Sequence, residues 1–131
     1  MTTPPITRIA MYVRDMEKVS AFYARHFGFQ ELGPKAEGKI TLTQGTGGCS
    51  IVLLQASKGH KAGQSIVKLV FDVEDVPAFK EEKQKEGLEF GVIHKGPGYE
   101  FSNARDPAKN LIQISSSYLM DDAESVESTE A

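Results

Sequence analysis

Apolar positions along this chain follow two alternating rhythms, and the order of those rhythms occurs twice. Residues 6–13 are apolar and β-branched without a helical period, which predicts a strand. Val19, Phe22, Tyr23 and Phe27 then recur at three- and four-residue spacing, predicting a helix over 16–27 with Asp15 as N-cap and Gly28 as its stop. Three shorter strands are expected at 29–32, 39–44 and 49–55, punctuated by Gly33-Pro34 and Gly45-Thr46-Gly47-Gly48. The polar, Gly-containing stretch 56–64 reads as a connector. A strand over 65–73 follows, then a helix capped by Asp75 with Pro77 in its first turn. Its inner face is Val76, Phe79 and the stem of Lys83, and it ends at Gly87. Strands near 89–94, 99–104 and 110–115 complete the series.

The second half therefore repeats the first at a constant offset of 60, which carries Arg8 to Lys68 and Asp15 to Asp75. The predicted fold class is α+β: two βαβββ modules in tandem, forming a cupped mixed β-sheet with helices on its outer face. Module one spans about 5–56 and module two about 64–117, within a single domain over 1–118. Strand alternation turns Ile9, Met11 and Val13 toward a helix, as it does Leu69, Phe71 and Val73. Arg8, Ala10 and Tyr12 face the opposite way, into the cup, with Lys68, Val70 and Asp72 as their counterparts. In the last strand, Ile112 and Ile114 belong to the helix side, whereas Leu111, Gln113 and Ser115 face the cup.

Composition narrows the class. The chain has 131 residues, 40% hydrophobic and 25% charged, as in ordinary globular proteins. No apolar run approaches the ~20 residues of a membrane span, and Met-Thr-Thr-Pro-Pro is no signal sequence, so no membrane association is expected. The formal charge of −3 conceals an acidic end, since Asp121, Asp122, Glu124, Glu127 and Glu130 have no nearby base. Residues 119–131 are expected to be a disordered acidic tail. Fifteen bases against thirteen acids remain, too weak and scattered an excess for nucleic-acid binding. The single Cys49 has no disulfide partner, is read as a partly buried strand-end residue, and suits a reducing cytoplasm.

Val-x-Asp before each helix, Phe22-Tyr23 followed by Phe27-Gly28-Phe29, and Asp106-Pro107-Ala108-Lys109-Asn110-Leu111-Ile112-Gln113-Ile114 at the end carry a family resemblance. Over about residues 5–116 the chain resembles the vicinal oxygen chelate superfamily, which includes glyoxalase I, bleomycin-resistance proteins, fosfomycin-resistance enzymes and extradiol dioxygenases. The closing motif looks like that family's Asp-Pro-x-Gly-Asn-x-x-Glu, with Lys109 for Gly and Gln113 for Glu. In metal-dependent members, a divalent ion is held by His or Gln on each module's first strand and Glu on its last. The resemblance puts those positions at Arg8, Lys68 and Gln113, with Val52, or else Leu53 or Ser50, as the fourth. Arg offers no lone pair and Lys is ordinarily protonated, so the inherited metal site looks absent and no cofactor is expected. The resemblance also implies a homodimer.

What the cup has instead is charge and aromatic surface. Arg8 and Lys68 repel unless countered, and Asp72, Glu31 and Glu100 are candidate counter-charges. Two readings stay open: a buried Arg/Lys–carboxylate network, or a site for an anionic small molecule. Tyr12, Tyr99 and Phe101 offer an aromatic wall. His94 ends a strand close to the cup mouth, whereas His26 is read as exposed or capping and His60 as a loop residue. Lys95-Gly96-Pro97-Gly98-Tyr99 resembles the family's mobile loop, but a hairpin turn is the simpler reading.

The candidate ligand-binding residues are thus Arg8, Tyr12, Lys68, Asp72, His94, Tyr99, Glu100 and Gln113. The expected function is a metal-free small-molecule-binding protein taking an anionic ligand. The alternatives are a metal-dependent lyase, isomerase or dioxygenase of the glyoxalase type with a noninherited site at Gln113, His94 and Glu100; a metal-independent enzyme in which Tyr99, Glu100 or His94 moves protons; and an interaction module whose acidic tail recruits a basic partner.

Overall fold

A computed structural model describes residues 6–33, 36–61 and 67–119 of the chain. In module one, β1 (Arg8–Val13) leads to helix α1 (Met16–Phe27), and β2 (Gln30–Glu31), β3 (Lys39–Thr43) and β4 (Ser50–Gln55) follow. The sheet order is β1-β4-β3-β2, with β1 and β4 parallel and the other pairs antiparallel. Parallel neighbours require a crossover, and α1 with its following strands supplies it. Asp15 accepts from the Lys18 N–H at 3.0 Å, occupying one of the donors a helix start leaves over. At the other end Gly28 takes φ 72°, and the Phe29 N–H reaches the Tyr23 carbonyl at 3.2 Å. With the Gly28 N–H on the Ala24 carbonyl at 3.2 Å, that is an αL ending, and a left-handed residue there favours glycine.

Module two repeats the order with β5 (Lys68–Asp72), α2 (Val76–Lys85), β6 (His94–Gly96), β7 (Tyr99–Arg105) and β8 (Leu111–Ser115). Its sheet order is β5-β8-β7-β6, again with only the first pair parallel. Asp75 caps α2 through the Ala78 N–H at 3.0 Å. Each module is thus βαβββ, with a four-stranded mixed sheet of its own. α1 packs on β3 and β4, and α2 on β7. Val13, Leu42 and Leu53 are fully buried in module one, and Ile112 and Ile114 in module two.

The described residues form two compact units. The first holds residues 6–61 together with Asp106–Lys109, and the second holds the rest. Among the described residues no helix is long and apolar enough to cross a membrane.

Three expectations need correction. The strand expected near 89–94 lies instead at His94–Gly96. Leu88 and Phe90 are buried and Glu89 exposed, so the alternation is real, but no ladder forms there. The Gly91 carbonyl is taken by side chains, Lys80 Nζ at 2.7 Å and Ser102 Oγ at 2.8 Å. The strand expected over 29–32 is only Gln30–Glu31, because Phe29 closes the helix end. His26, read as exposed or capping, is buried on the inner side of α1 against the Phe22 ring. The acidic tail beyond Leu119 and the connector residues 62–66 lie outside the described residues.

Candidate functional site

Each sheet has one face under its helix and one opposite face, and the candidate residues divide between them. In β1, Arg8, Ala10 and Tyr12 are exposed while Ile9, Met11 and Val13 are half-buried or buried. In β5, Lys68, Val70 and Asp72 are exposed and Leu69 and Phe71 half-buried. The registers match across modules: Ala10 pairs with Val52, and Val70 with Gln113. Val52 is therefore the module-one counterpart of Gln113.

On module two's open face, cross-strand register sets side chains in rows. Asp72 aligns with Ser115, Ser115 with Phe101, and Phe101 with His94. The next row runs from Val70 through Gln113 to Asn103, and the third from Lys68 through Leu111 to Arg105. Gln113 Nε2 donates to Asn103 Oδ1 at 2.9 Å. The His94 and Phe101 rings stack at 5.0 Å, and Tyr99 stacks on Phe101 at 6.1 Å. Asn103 had gone unread in the sequence, although strand parity from Tyr99 places it beside Gln113.

Module one's open face is organised differently. Tyr12 stacks on His60 with ring centroids 4.2 Å apart. His60 Nδ1 accepts from the Ser57 backbone N–H at 2.9 Å, and the Arg14 guanidinium holds the carbonyls of Ser57 and His60. The loop after β4 is thereby pinned to the end of β1. His60 is a loop residue as expected, but one built into an aromatic platform.

Other candidates are separated by the same alternation. Glu100 pairs across the strands with Lys95, not with His94, so it sits on the face opposite Tyr99 and Phe101. Gln113, His94 and Glu100 consequently do not share a face, and the noninherited metal set built on them does not assemble. Glu31 accepts from Ser20 Oγ of α1 at 3.0 Å, on the helix side rather than in the cup. Asp72 lies four residues along the strand from Lys68, roughly 13 Å at ~3.3 Å per residue. Among the described residues, neither Arg8 nor Lys68 makes an ion pair or a side-chain hydrogen bond. Residues 95–99 form the expected hairpin turn between β6 and β7.

A divalent ion does not fit the positions at which the resemblance puts its ligands. Module one offers Arg8 and the buried Val52; module two offers Lys68 and Gln113, whose amide is bonded to Asn103. Two cations, an alkyl group and one neutral amide supply a single oxygen between them, and a divalent ion needs several converging donors. Among the described residues, no three His, Cys, Asp or Glu side chains converge.

The closing motif has a structural part that its sequence did not disclose. The fully buried Tyr23 hydroxyl donates to Asp106 Oδ2 at 2.7 Å, and Asp106 Oδ1 accepts the Ala108 N–H at 2.9 Å. Burial, and then the Asp106 carboxylate, push the Tyr23 phenol well above its ordinary value of 10.0. Lys109 takes φ 69° at the end of this turn.

The fold recurs in solved structures at low identity. The antibiotic-binding protein TnmS3 from Streptomyces sp. CB03234 is 21% identical over 87% of this chain and 96% of its own, with a TM-score of 0.72. Lactoylglutathione lyase from Agrobacterium tumefaciens is 22% identical over 86% and 95%, with a TM-score of 0.67. A glyoxalase/bleomycin resistance protein from Streptomyces sp. CB03234 is 23% identical over 84% and 98%, with a TM-score of 0.66. No curated protein sequence matches the chain. The family model described as Glyoxalase/Bleomycin resistance protein/Dioxygenase superfamily matches residues 6–114, nearly the whole of both modules. With that match and two βαβββ modules in register, the chain belongs to the glyoxalase/bleomycin resistance protein/dioxygenase superfamily.

Proposed function

We propose that this protein is a metal-free small-molecule-binding member of its superfamily that takes an anionic ligand. The observation that carries the reading is the pair of substitutions at the first-strand positions, Arg8 and Lys68. Both are exposed on open sheet faces and neither has an ion pair among the described residues. A cross-linking network would have spent those charges on carboxylates. Glu31 and Glu100 lie on the other faces, and Asp72 lies along the strand from Lys68. An exposed cation beside polar strand residues is suited to a carboxylate or phosphate. That one neighbour is an antibiotic-binding protein and another a lyase supports a fold that serves binding without chemistry as readily as catalysis. By resemblance the protein works as a homodimer, and its single cysteine suits a reducing cytoplasm.

The test is thermal unfolding with inorganic phosphate, acetate and benzoate, on wild type, Arg8→Ala and Lys68→Ala. A ligand that binds only the native state raises the midpoint, by ~2.7 kcal/mol of stability at a hundred times its dissociation constant. The expected result is a shift that at least one substitution abolishes. A shift surviving both overturns the cationic site. Stoichiometric Fe, Zn, Ni or Mn in protein purified without chelator overturns the metal-free reading.

A further inference from the structure

Module two's open face holds more than a cation. Three rings lie on it, the Phe101 ring stacking with His94 (interplanar angle 25°) and with Tyr99 (30°). None of the three is fully buried. The stack depends on one glycine. A Cβ at Gly96 would fall 2.3 Å from Tyr99 Cζ, so only a residue without a side chain lets the Tyr99 ring lie across the hairpin. One row further along the sheet, the bond from Gln113 Nε2 to Asn103 Oδ1 uses one donor and one acceptor of the amide pair. It leaves Gln113 Oε1 and Asn103 Nδ2 with no protein partner among the described residues. A row beyond that stand Lys68 and, on β7, Arg105; Val70, beside Gln113 in the amide row, is 51% exposed. Ring group, amide pair and cation therefore share a single face, Lys68 standing four residues along and two strands across from Phe101, roughly 16 Å at ~3.3 Å per residue and ~4.8 Å per strand.

We infer that this face recognises a planar, fused-ring aromatic acid. Its ring system packs on the outer side of this ring group, a polar edge meets the Gln113–Asn103 amides, and its carboxylate points toward Lys68. Aromatic faces prefer offset stacking on other aromatic faces, and amides read a polar edge by hydrogen bonds. An aliphatic acid satisfies the cation alone. This inference rests on the anion-binding reading above and adds to it the class of ligand.

The experiment is calorimetric titration of the full chain with naphthalene-2-carboxylate, cyclohexanecarboxylate and naphthalene-2-carboxamide. Naphthalene-2-carboxylate is expected to bind at least tenfold more tightly than either of the others. Phe101→Leu, which keeps an apolar strand residue, is expected to remove the tenfold advantage of naphthalene-2-carboxylate over cyclohexanecarboxylate. Gly96→Ala, a hairpin change with no positive φ to disturb, is expected to weaken naphthalene-2-carboxylate several-fold. Equal affinity for the two acids, lost in Lys68→Gln, overturns the aromatic inference and leaves the anionic reading standing. Equal affinity for acid and carboxamide overturns the acid requirement. Binding of neither acid overturns both readings, and so does a face found covered by a second copy, seen as a Phe101→Leu protein that changes its sedimentation without any acid present.

Discussion

The two modules share a chain path and differ in how each fastens its helix. The repeat offset carries Asp15 of α1 to Asp75 of α2, and both cap their helices through a main-chain N–H at 3.0 Å. The same offset carries Tyr23 to Lys83, and there the modules part. Tyr23 is fully buried, and its hydroxyl is bonded to Asp106, 83 residues away in sequence. Lys83 is buried along its stem, with its ammonium 2.9 Å from Glu86 and 5.3 Å from the Phe79 ring centroid. One inner-face position thus holds a long-range bond sealed from water; the other holds a contact within one helical turn, whose partner Glu86 still touches solvent. A buried hydrogen bond to a carboxylate resists removal because its partner stays desolvated. A wet i,i+3 pair can exchange its partner for water. Equivalent positions in a repeat need not carry equivalent energies.

The largest expected effect breaks that comparison directly. Tyr23→Phe keeps the ring and removes only the hydroxyl, so Asp106 Oδ2 loses this donor in a buried site. The expected cost is about 1.5–3 kcal/mol in urea unfolding. Lys83→Met keeps the buried stem and removes the ammonium, and is expected to change stability by less than about 1 kcal/mol. Equal losses in the two variants would show that the modules are fastened alike.

Alkaline pH sharpens the same contrast. The folded-state value of Tyr23 lies above its unfolded value of 10.0, so the protonated phenol contributes its stability in full below pH 10. Above it the unfolded chain releases that proton while the folded chain keeps it. Stability therefore falls as pH rises, by about 1.4 kcal/mol per pH unit from this group. In paired unfolding curves at pH 9 and pH 11, Tyr23→Phe is expected to lose less stability than wild type. Identical slopes would remove Tyr23 as the source.

A third contrast lies in the turns before the last strands. Counting back four residues from the matched Val52 and Gln113 reaches Gly48, with φ 88°, and Lys109, with φ 69°. Module one meets the left-handed conformation with glycine, and module two meets it with lysine. An L-residue there costs roughly 1–2 kcal/mol, of which glycine's extra unfolded-state entropy returns roughly 0.5–1. Lys109→Gly is expected to stabilise by up to about 1 kcal/mol, raising Tm by a few degrees. A lower Tm would mean that contacts of the Lys109 side chain outweigh the backbone strain.

Much of this was legible in the chain because periodicity encodes it. The helix over 16–27 and the matched registers follow from apolar spacing, a cap and a terminal glycine, all local signals. The Tyr23–Asp106 bond was not legible, since nothing local says which distant carboxylate meets a buried tyrosine. His26 misled because imidazole suggests a surface, although its spacing from Phe22 and Tyr23 already puts it on the inner face of α1. The stretch 88–90 misled because alternating burial imitates a strand even where side chains, not a neighbouring strand, take the carbonyl of Gly91. Glu100 could have been excluded by parity, because successive strand residues cannot both face the cup with Tyr99.

The smallest expected effect on stability falls on the aromatic surfaces, which the modules again build differently. Module one stacks Tyr12 on a histidine that a loop delivers, whereas module two stacks Tyr99 on Phe101 by laying it over Gly96. Gly96→Ala puts a methyl where the Tyr99 ring lies, and the ring is the part free to move, because the glycine is in an ordinary backbone conformation. The change in stability is expected to stay within about 0.5 kcal/mol, as for other surface substitutions. Its signature is in the aromatic NMR spectrum. Ring-current shifts of Tyr99 should collapse toward free values while those of Tyr12 hold, so module one is the control within the same sample. Unchanged Tyr99 resonances would mean that the ring does not rest on Gly96, and the aromatic stack would then have to be redrawn around His94 and Phe101 alone.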